Sequence, residues 1–522
     1  MNVFLNILKY GLVVVLAIVG LFIIACGCLV LFPGANIFGL SYVSFDNKPV
    51  LTQYYLYEDP YVSSDKIKVD AGMFNVNVKI VNEDKITNGA THLSAQLNRN
   101  LTGFVIGEDA DKKIELVGNQ VTDGEDKVLS LKITQPQKGW LFPTSCELSL
   151  LVPKSALNEK ELVINTTSGS IVIGNDPVYN EAKENTTTFI DIKSLNATTQ
   201  KGDVTLGCVN FLQPLNITQE SGTITSKIDL GVDATLSQTK GFGNIKLKNV
   251  GTETNPKNLV IKSIWNSAVN IGTIYGDVVA GDIKGGNIKI DTISGDGQIT
   301  NDYADVTIKS IHKNLIYTAN EGALNITEVL GKINVTQKSG SVKIINLGNN
   351  GSAYLQEITT VNAGVEVSKL HNNVLVKAEK GEVKISGCPD DTTPAQITVN
   401  AKDSKINLYK VNGSVNYTCD EGNSAIYVEY DKLVGLNNFK NQIGAVDILM
   451  PLESTTPMWL SWQTNNQANI KLYSFESVKK LSSEVDGATE NGVAVNGATA
   501  STVEKLNIIT KLGKISITRK SA

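Results

Sequence analysis

The sequence contains very little arginine or histidine. Of its 47 basic residues only Arg99 and Arg519 are arginine, and the three histidines, His92, His312 and His371, are far apart. Arginine supplies most of the bidentate contacts by which proteins hold phosphate groups, and a formal net charge of −5 leaves no basic excess for nucleic acid. We therefore predict no nucleic-acid partner, and we interpret each histidine as a surface or loop residue.

Motifs for catalysis, metals and cofactors are also missing from the sequence. It contains no Ser/His/Asp arrangement and no His/Cys pattern with metal-ligand spacing. Gly281–Gly286 is not a phosphate loop, because it lacks the terminal Lys-Ser/Thr. We predict a protein that is not an enzyme, with no catalytic residue, no metal ligand and no cofactor.

The alternative of a carbohydrate-active enzyme depends on one acidic stretch. Glycoside cleavage needs two carboxylates about 5–10 Å apart, and Asp296 in Ser294–Gly297 offers a hard oxygen ligand for Ca²⁺. Aspartate is also a common turn former, and we favour that role at solenoid corners. The stretch comprises Asp277, Asp282, Asp291, Asp296, Asp302 and Asp305.

Convincing helical periodicity is absent beyond the N-terminal segment that ends at Phe32. Gly11–Phe32 is uncharged, and about 22 residues at helical rise span roughly 33 Å, enough to cross a bilayer core. The run is longer than the core of a cleaved signal peptide, and no Lys or Arg follows before Lys48. We predict an uncleaved transmembrane signal anchor at 11–32, a cytoplasmic tail at 1–10, and a single-pass cell-membrane protein whose bulk is extracytoplasmic.

The cysteines leave two questions open. Ile23–Cys26 resembles a lipoprotein processing site, so a lipid-bearing Cys26 is an alternative to the anchor, although the sequence stays apolar as far as Phe32. The four cysteines after the anchor allow three pairings, between which the sequence does not choose. We favour small buried side chains instead for Cys146, Cys208, Cys388 and Cys419.

Glycine, by contrast, recurs within one short sequence motif along much of the chain. Gly followed by alternating apolar residues appears, for example, in Ser168–Ile173, Lys201–Leu206 and Ser339–Ile344. A period of about 20 residues marks a repeat architecture, and alternation marks half-buried strands. We predict an all-β fold, a β-solenoid resembling a parallel β-helix with short stacked strands, preceded by one transmembrane helix. The alternative is an antiparallel sandwich.

The same patterns predict the domain boundaries. Trp459 and Trp462 lie near the C-terminal end, where they either stack on a sugar or, as we favour, pack at least in part into the core. We expect a stalk at 33–65, an N-terminal β capping region at 66–150, β-solenoid repeats at 151–445, and a C-terminal β capping region at 446–522 with an exposed loop at 482–502.

Several phrases resemble the DUF4097-type adhesin family of bacterial surface proteins. The apolar-Pro strand at Leu150–Pro153 is followed by Thr-x-Ser-Gly-x-apolar at Thr166–Ile171, and related phrases occur at Thr218–Ile224 and Thr336–Val342. The resemblance covers roughly residues 66–450. It implies a β-helical surface domain and carries no catalytic residues.

These observations favour a membrane-anchored extracytoplasmic module that interacts with other molecules at the cell surface, as an adhesin does. We expect the membrane as one partner, through the N-terminal helix, and an extracellular protein or glycan as another. Two alternatives remain: a self-associating structural or envelope-stress scaffold, and a carbohydrate-active β-helix enzyme.

Overall fold

The computed structural model describes most of the chain, which forms two compact units, Met1–Val232 and Asp233–Ala522. The described residues are 2–32, 35–37, 39–44, 50–55, 64–80, 92–98, 102–106, 115–123, 126–134, 140–141, 147–152, 157–178, 188–349, 354–388, 391–451, 458–464, 470–473, 479–485, 488–495 and 504–519.

The predicted fold class is confirmed. The chain is mostly β, a β-solenoid of about 12 turns with one apolar N-terminal helix. The helix, α1, is Asn2–Leu31. The strands of the first unit are β1 Asn36–Ile37, β2 Leu40–Ser44, β3 Val50–Tyr55, β4 Lys66–Gly72, β5 Asn75–Ile80, β6 His92–Asn98, β7 Thr102–Ile106, β8 Glu115–Asp123, β9 Asp126–Thr134, β10 Trp140–Leu141, β11 Glu147–Val152, β12 Leu157–Thr166, β13 Ile171–Ile173, β14 Ile190–Lys201, β15 Val204–Leu206, β16 Val209–Phe211, β17 Leu215–Ser221 and β18 Thr223–Ser226.

The second unit continues with strands that become longer because several turn a corner without interruption. They are β19 Ala234–Gln238, β20 Asn244–Leu247, β21 Leu259–Ile274, β22 Val278–Ile293, β23 Gly297–Asn301, β24 Asp305–Ile311, β25 Leu315–Ala319, β26 Ala323–Val329, β27 Ile333–Leu347, β28 Leu355–Leu370, β29 Asn373–Gly387, β30 Ala395–Cys419, β31 Ala425–Leu433, β32 Leu436–Asn441, β33 Val446–Met450, β34 Met458–Thr464, β35 Ile470–Tyr473, β36 Lys479–Val485, β37 Ala488–Val495, β38 Lys505–Thr510 and β39 Ile515–Arg519.

Both units are built on parallel, in-register pairing between coils. In the first unit β4 pairs with β12, and β5 with β13, so part of the range 66–150 already lies in the coil ladders. The antiparallel additions are the β8–β9 hairpin, the pairs β3–β6 and β6–β11, and a small sheet of β1, β2, β7 and β10. Strands β1–β3 lie within the predicted stalk, 33–65.

The coil length follows directly from the register. Leu259 pairs with Val278, Val278 with Gly297, and Gly297 with Leu315, so successive coils have almost the same length. That length is close to the period of about 20 residues that marks repeat architectures. The regularity stacks equivalent side chains into columns, because residues two apart on a strand share a face.

One such column shows how the core of the second unit is filled. Every member is an aliphatic side chain that is at most 2% exposed, and burying each contributes about 1.5–3 kcal/mol. The column runs through Val269, Ile288, Val306, Leu324, Val342, Val365, Val383, Ile406, Ile426, Val446 and Ile515.

Most of the recurring glycines lie where the backbone of one coil touches the next. At Gly340 φ is +105°, and a Cβ would lie 1.9 Å from the carbonyl oxygen of Gly322 in the preceding coil. Only glycine tolerates both the left-handed φ and this approach. The glycine repeat of the sequence is therefore a corner of the solenoid.

The range predicted as an exposed loop, 482–502, contains a β-hairpin. β36 pairs with β37 in antiparallel register from Lys479–Ala494 to Val485–Ala488, and residues 496–503 lie outside the described residues. The Gly, Ala, Asn and Ser content suggested a loop, but β37 is paired on both sides, since β34 is its other neighbour. Strand pairing has overridden the weak local preference.

The core of the second unit also holds three fully buried tyrosines, Tyr317, Tyr417 and Tyr430. Burial raises the pKa of Tyr317 to about 12 and raises the pKa of the other two as well. A raised folded-state pKa stabilises the protein below the ordinary tyrosine pKa of about 10, and that contribution is lost as the pH rises towards 12.

We therefore expect alkaline pH to destabilise the second unit through these groups. Between pH 10 and 11, Tyr317 alone should lower the free energy of unfolding by about 1 kcal/mol. Tyr317→Phe should remove that share, and Asn301 keeps a partner in the carbonyl oxygen of Ala304 at 2.6 Å. Urea unfolding of both chains at pH 8, 10 and 11 measures the difference, and identical pH dependence would contradict the assignment.

Candidate functional site

Four exposed side chains on successive coils of the second unit form one strip, which we call the aromatic ridge. The three rings are 83%, 41% and 45% exposed in chain order. Large exposed aromatics cost hydration free energy, and a row of them marks an interaction surface more often than a scattered single one does. The ridge consists of Phe242, Trp265, Lys284 and Tyr303.

The coil register brings these residues together. Trp265 pairs directly with Lys284 between β21 and β22. The next coil follows because the Asp302 amide donates to the Ile283 carbonyl at 2.8 Å, which places Tyr303 beside that pair.

Two glycines make room for the rings. A Cβ at Gly241 would lie 2.9 Å from Trp265 Cδ1, and one at Gly285 would lie 2.6 Å from Tyr303 Cε2. Each ring therefore lies against the bare backbone of the preceding coil, and each remains partly exposed. Both glycines have positive φ, +91° and +78°.

The backbone is strained at this corner. Phe242, Asn266 and Asp282 adopt φ of 56°, 45° and 47°, and Lys410 is the one further non-glycine residue with positive φ in the described part of the chain. The cost is on the order of 1–3 kcal/mol for Phe242, whereas Asn266 and Asp282 adopt this conformation more readily. Such strain concentrates at functional sites. Three of four cases at one corner make this corner the best candidate.

Charged and amide groups flank the rings. Lys284 Nζ lies 5.6 Å from the Trp265 ring centroid and 2.9 Å from Asp282 Oδ1. The hydrogen bond and charge of Asp282 raise the pKa of Lys284, so the ammonium stays charged over the ring. Flat apolar faces beside hydrogen-bonding groups suit a ligand whose faces carry C–H groups and whose edges carry hydroxyls.

The aspartates of the acidic stretch form hydrogen bonds and ion pairs within the fold. Asp277 Oδ1 accepts the Asp296 amide at 2.8 Å, and Asp296 Oδ1 accepts the amide and side chain of Asn314 at 3.1 and 2.9 Å. Asp305 Oδ1 accepts the Ala323 amide at 2.9 Å. These aspartates link corners of adjacent coils. The remaining contacts are Asp282 with Lys284, Asp291 with Lys309, and Asp302 with Asn320.

Of the two tryptophans near the C-terminal end, one packs into the core, as we favoured. Trp462 in β34 is 6% exposed and belongs to the core, whereas Trp459 is half-buried. Trp462 is therefore not available as a sugar-stacking platform.

Sequence reasoning missed a cluster that joins a histidine, a cysteine and an aspartate. His371 Nδ1 lies 3.0 and 2.9 Å from the two carboxylate oxygens of Asp391, and one ligand atom each of His371, Cys388 and Asp391 lie within 4.8 Å of one another. His371 and Cys388 are separated in sequence by nearly one coil. A separation of one coil places two residues at the same corner, so this spacing could have revealed the cluster, but it matches no local metal-binding motif.

Two of the other cysteines behave as the small core residues that we favoured. Cys208 and Cys419 are buried, and the Cys419 thiol lies 3.2 Å from the Glu421 carbonyl oxygen. Cys388 and Cys419 do not form a disulfide. Cys146 lies outside the described residues.

An open groove of about 560 Å³ occupies a different part of the second unit, between the coils of β30 and β32. Its amides are tied across coils, because Asn438 Nδ2 donates to Asn416 Oδ1 at 3.1 Å and accepts at Oδ1 from Asn507 at the same distance.

The N-terminal helix matches the predicted apolar segment. Lys9–Leu31 is long and apolar enough to cross a bilayer, a property that signal sequences share. The helix is thus a signal sequence or an anchor.

Comparisons with known proteins add little beyond the fold. No family model matches the chain, so the DUF4097-type resemblance has no family match behind it, and no curated protein matches either. One solved structure, a "putative cell adhesion protein" from Clostridium sporogenes, is 7% identical over 91% of this chain and all of that chain, with a TM-score of 0.13.

A second solved structure is a "putative lipid binding protein" from Parabacteroides distasonis. It is 13% identical over 72% of this chain and 98% of that chain, with a TM-score of 0.16. At these identities and scores neither similarity bears on what this chain binds.

Proposed function

We propose that this chain is a membrane-anchored, extracytoplasmic binding module that holds an extended polysaccharide along the aromatic ridge. The observation that carries the proposal is the strip of three exposed rings and one lysine on successive coils, at a strained corner. Five of the six carboxylates of the acidic stretch bond to a neighbouring coil, and Asp282 pairs with Lys284, so a binding role is better supported than glycoside cleavage.

The spacing of the rings suits a polymer. Adjacent coils are separated by about 4.8 Å, so Trp265 and Tyr303, two coils apart, are spaced by about 9.6 Å. That distance is close to the repeat of two pyranose units in an extended chain. Each sugar face can pack its C–H groups on the electron-rich face of a ring.

The polar groups beside the rings supply orientation. Lys284 offers an ammonium, and Asp282 and Asn266 offer oxygen and amide groups at the same corner. Hydroxyls of a sugar can bond to the hydrogen-bonding capacity that the Lys284–Asp282 pair leaves over, whereas a purely apolar ligand would cover that pair without adding a hydrogen bond.

A glycan array probed with the full chain in detergent micelles tests this function. The array should include β-linked glucans, chitin and peptidoglycan, and we expect binding to at least one of these polymers and weaker binding to its monosaccharide. Signal no higher than that of empty micelles across the array would overturn the proposal.

The anchor is a separate part of the proposal. It is supported by the uncharged run Gly11–Phe32 and by the first basic residue after it lying as far on as Lys48. Mass spectrometry of the mature N-terminus in the membrane fraction should find an uncleaved, unlipidated segment 11–32. Cleavage within or just after it, or a lipid on Cys26, would contradict the anchor.

A further inference from the structure

The His371, Cys388 and Asp391 cluster lies at one corner of the second unit. His371 follows β28, Cys388 follows β29, and Asp391 precedes β30. The coil ladder fixes the first position, because the His371 amide donates to the Leu347 carbonyl at 2.9 Å.

The third position is fixed by a side-chain contact. Asn412 Nδ2 donates to the Asp391 carbonyl oxygen at 2.9 Å, which holds the aspartate from the following coil. His371 and Asp391 are therefore each held by a contact with a neighbouring coil.

The side chains of the cluster are largely shielded from water. The Asp391 side chain is 7% exposed and that of His371 is 20% exposed. A carboxylate this buried needs a donor or a cation to offset its desolvation, and the imidazole faces both of its oxygens. The thiol of Cys388 adds a soft ligand to the same small volume.

We propose that His371, Cys388 and Asp391 form a binding site for one divalent transition-metal ion of the zinc class. Zinc binds imidazole nitrogen at about 2.0–2.1 Å, thiolate at about 2.3 Å and carboxylate oxygen at about 2.0–2.2 Å. A sulfur and a nitrogen ligand together favour zinc over calcium or magnesium, which take oxygen.

The geometry needs only a small adjustment. Tetrahedral bonds of those lengths separate the ligand atoms by roughly 3.3–3.7 Å, and all three lie within 4.8 Å of one another. The contacts of 2.9 and 3.0 Å between His371 and Asp391 would lengthen slightly as both turn towards the ion. Three protein ligands leave a fourth position for water or for a group of a bound partner.

Cobalt substitution of the full chain in detergent micelles tests the site. After treatment with a chelator, Co²⁺ should give the near-ultraviolet charge-transfer band of a thiolate ligand, at one ion per chain, and Zn²⁺ should abolish the band. Cys388→Ser should remove the band, and His371→Ala should weaken Co²⁺ binding at least tenfold.

The matched control is Cys419→Ala, which deletes a buried thiol of the same unit that faces carbonyl oxygens. It should leave the band unchanged. Zn²⁺ should raise the melting temperature of the wild-type chain and of Cys419→Ala, and not that of Cys388→Ser, with circular dichroism confirming that each variant is folded. A band that persists in Cys388→Ser, or no saturable Co²⁺ binding by the wild-type chain, would overturn the proposal.

Discussion

Replacing Gly340 with alanine is expected to lower the free energy of unfolding of the second unit by about 3 kcal/mol. Two costs add. An L-residue at a φ of +105° is strained by on the order of 1–3 kcal/mol, and a methyl group 1.9 Å from the Gly322 carbonyl oxygen forces coils apart at a similar overpacking cost.

Gly364→Ala is the matched control for this substitution. Gly364 lies on the next coil, opposite Ser341, and the nearest heavy atom to its Cβ would be the Glu382 carbonyl oxygen at 3.7 Å. We expect a change within about 1 kcal/mol, since alanine restricts the unfolded chain and meets no clash. Urea unfolding followed by circular dichroism compares the two, and equal losses would show that close approach at the corner is not the cause.

Removing the central ring of the aromatic ridge is expected to weaken glycan binding by roughly 30-fold. Trp265→Ala deletes the stacking surface and the ring beneath the Lys284 ammonium, and loss of such an anchor costs about 2 kcal/mol in affinity. Trp265→Phe should retain most of the binding, because it keeps an aromatic face. Titration of the best polysaccharide from the array measures both.

Tyr354→Ala controls for the loss of any exposed aromatic. Tyr354 is 49% exposed, similar to the ridge residues, and precedes β28, on a coil well separated from β20–β23. Its removal should leave affinity unchanged. If Tyr354→Ala and Trp265→Ala weaken binding equally, or Trp265→Ala has no effect in a folded chain, the ridge is not the binding surface.

The fold was predictable because short local sequence patterns specify it. Alternating apolar residues specify which side chains enter the core, and a glycine at a fixed phase specifies the corner where coils touch, as at Gly340. Both patterns recur from coil to coil, so a coil in which the pattern is weak can still be recognised from its neighbours. The hairpin of β36 and β37 was missed because its Gly, Ala, Asn and Ser content lacks the alternating apolar pattern of the other strands.

The candidate sites were not predictable in the same way. Trp265, Lys284 and Tyr303 follow one another at the coil period, and Phe242 precedes Trp265 by slightly more than one period. The sequence spacing therefore predicts that these residues lie side by side on successive coils. Nothing in the composition shows that this corner, rather than another, is strained and leaves its rings exposed. Predicting the cluster at His371 likewise requires the exact number of residues in one coil, and the sequence pattern gives only the average coil length.

The constant register of the coils from β21 to β27 also bears on how such a chain can vary in size. Because Gly297, Leu315 and Ile333 are successive partners at equal spacing, a duplication or deletion of one whole coil here restores every core column and every corner. A single-residue insertion or deletion inside a strand turns the following side chains of that strand to the opposite face, whereas the corners already absorb the one-residue difference between the coils from Val278 to Gly297 and from Gly297 to Leu315. Selection can therefore lengthen or shorten this region in whole coils, moving the ridge and the His371 corner nearer together or farther apart while leaving each intact.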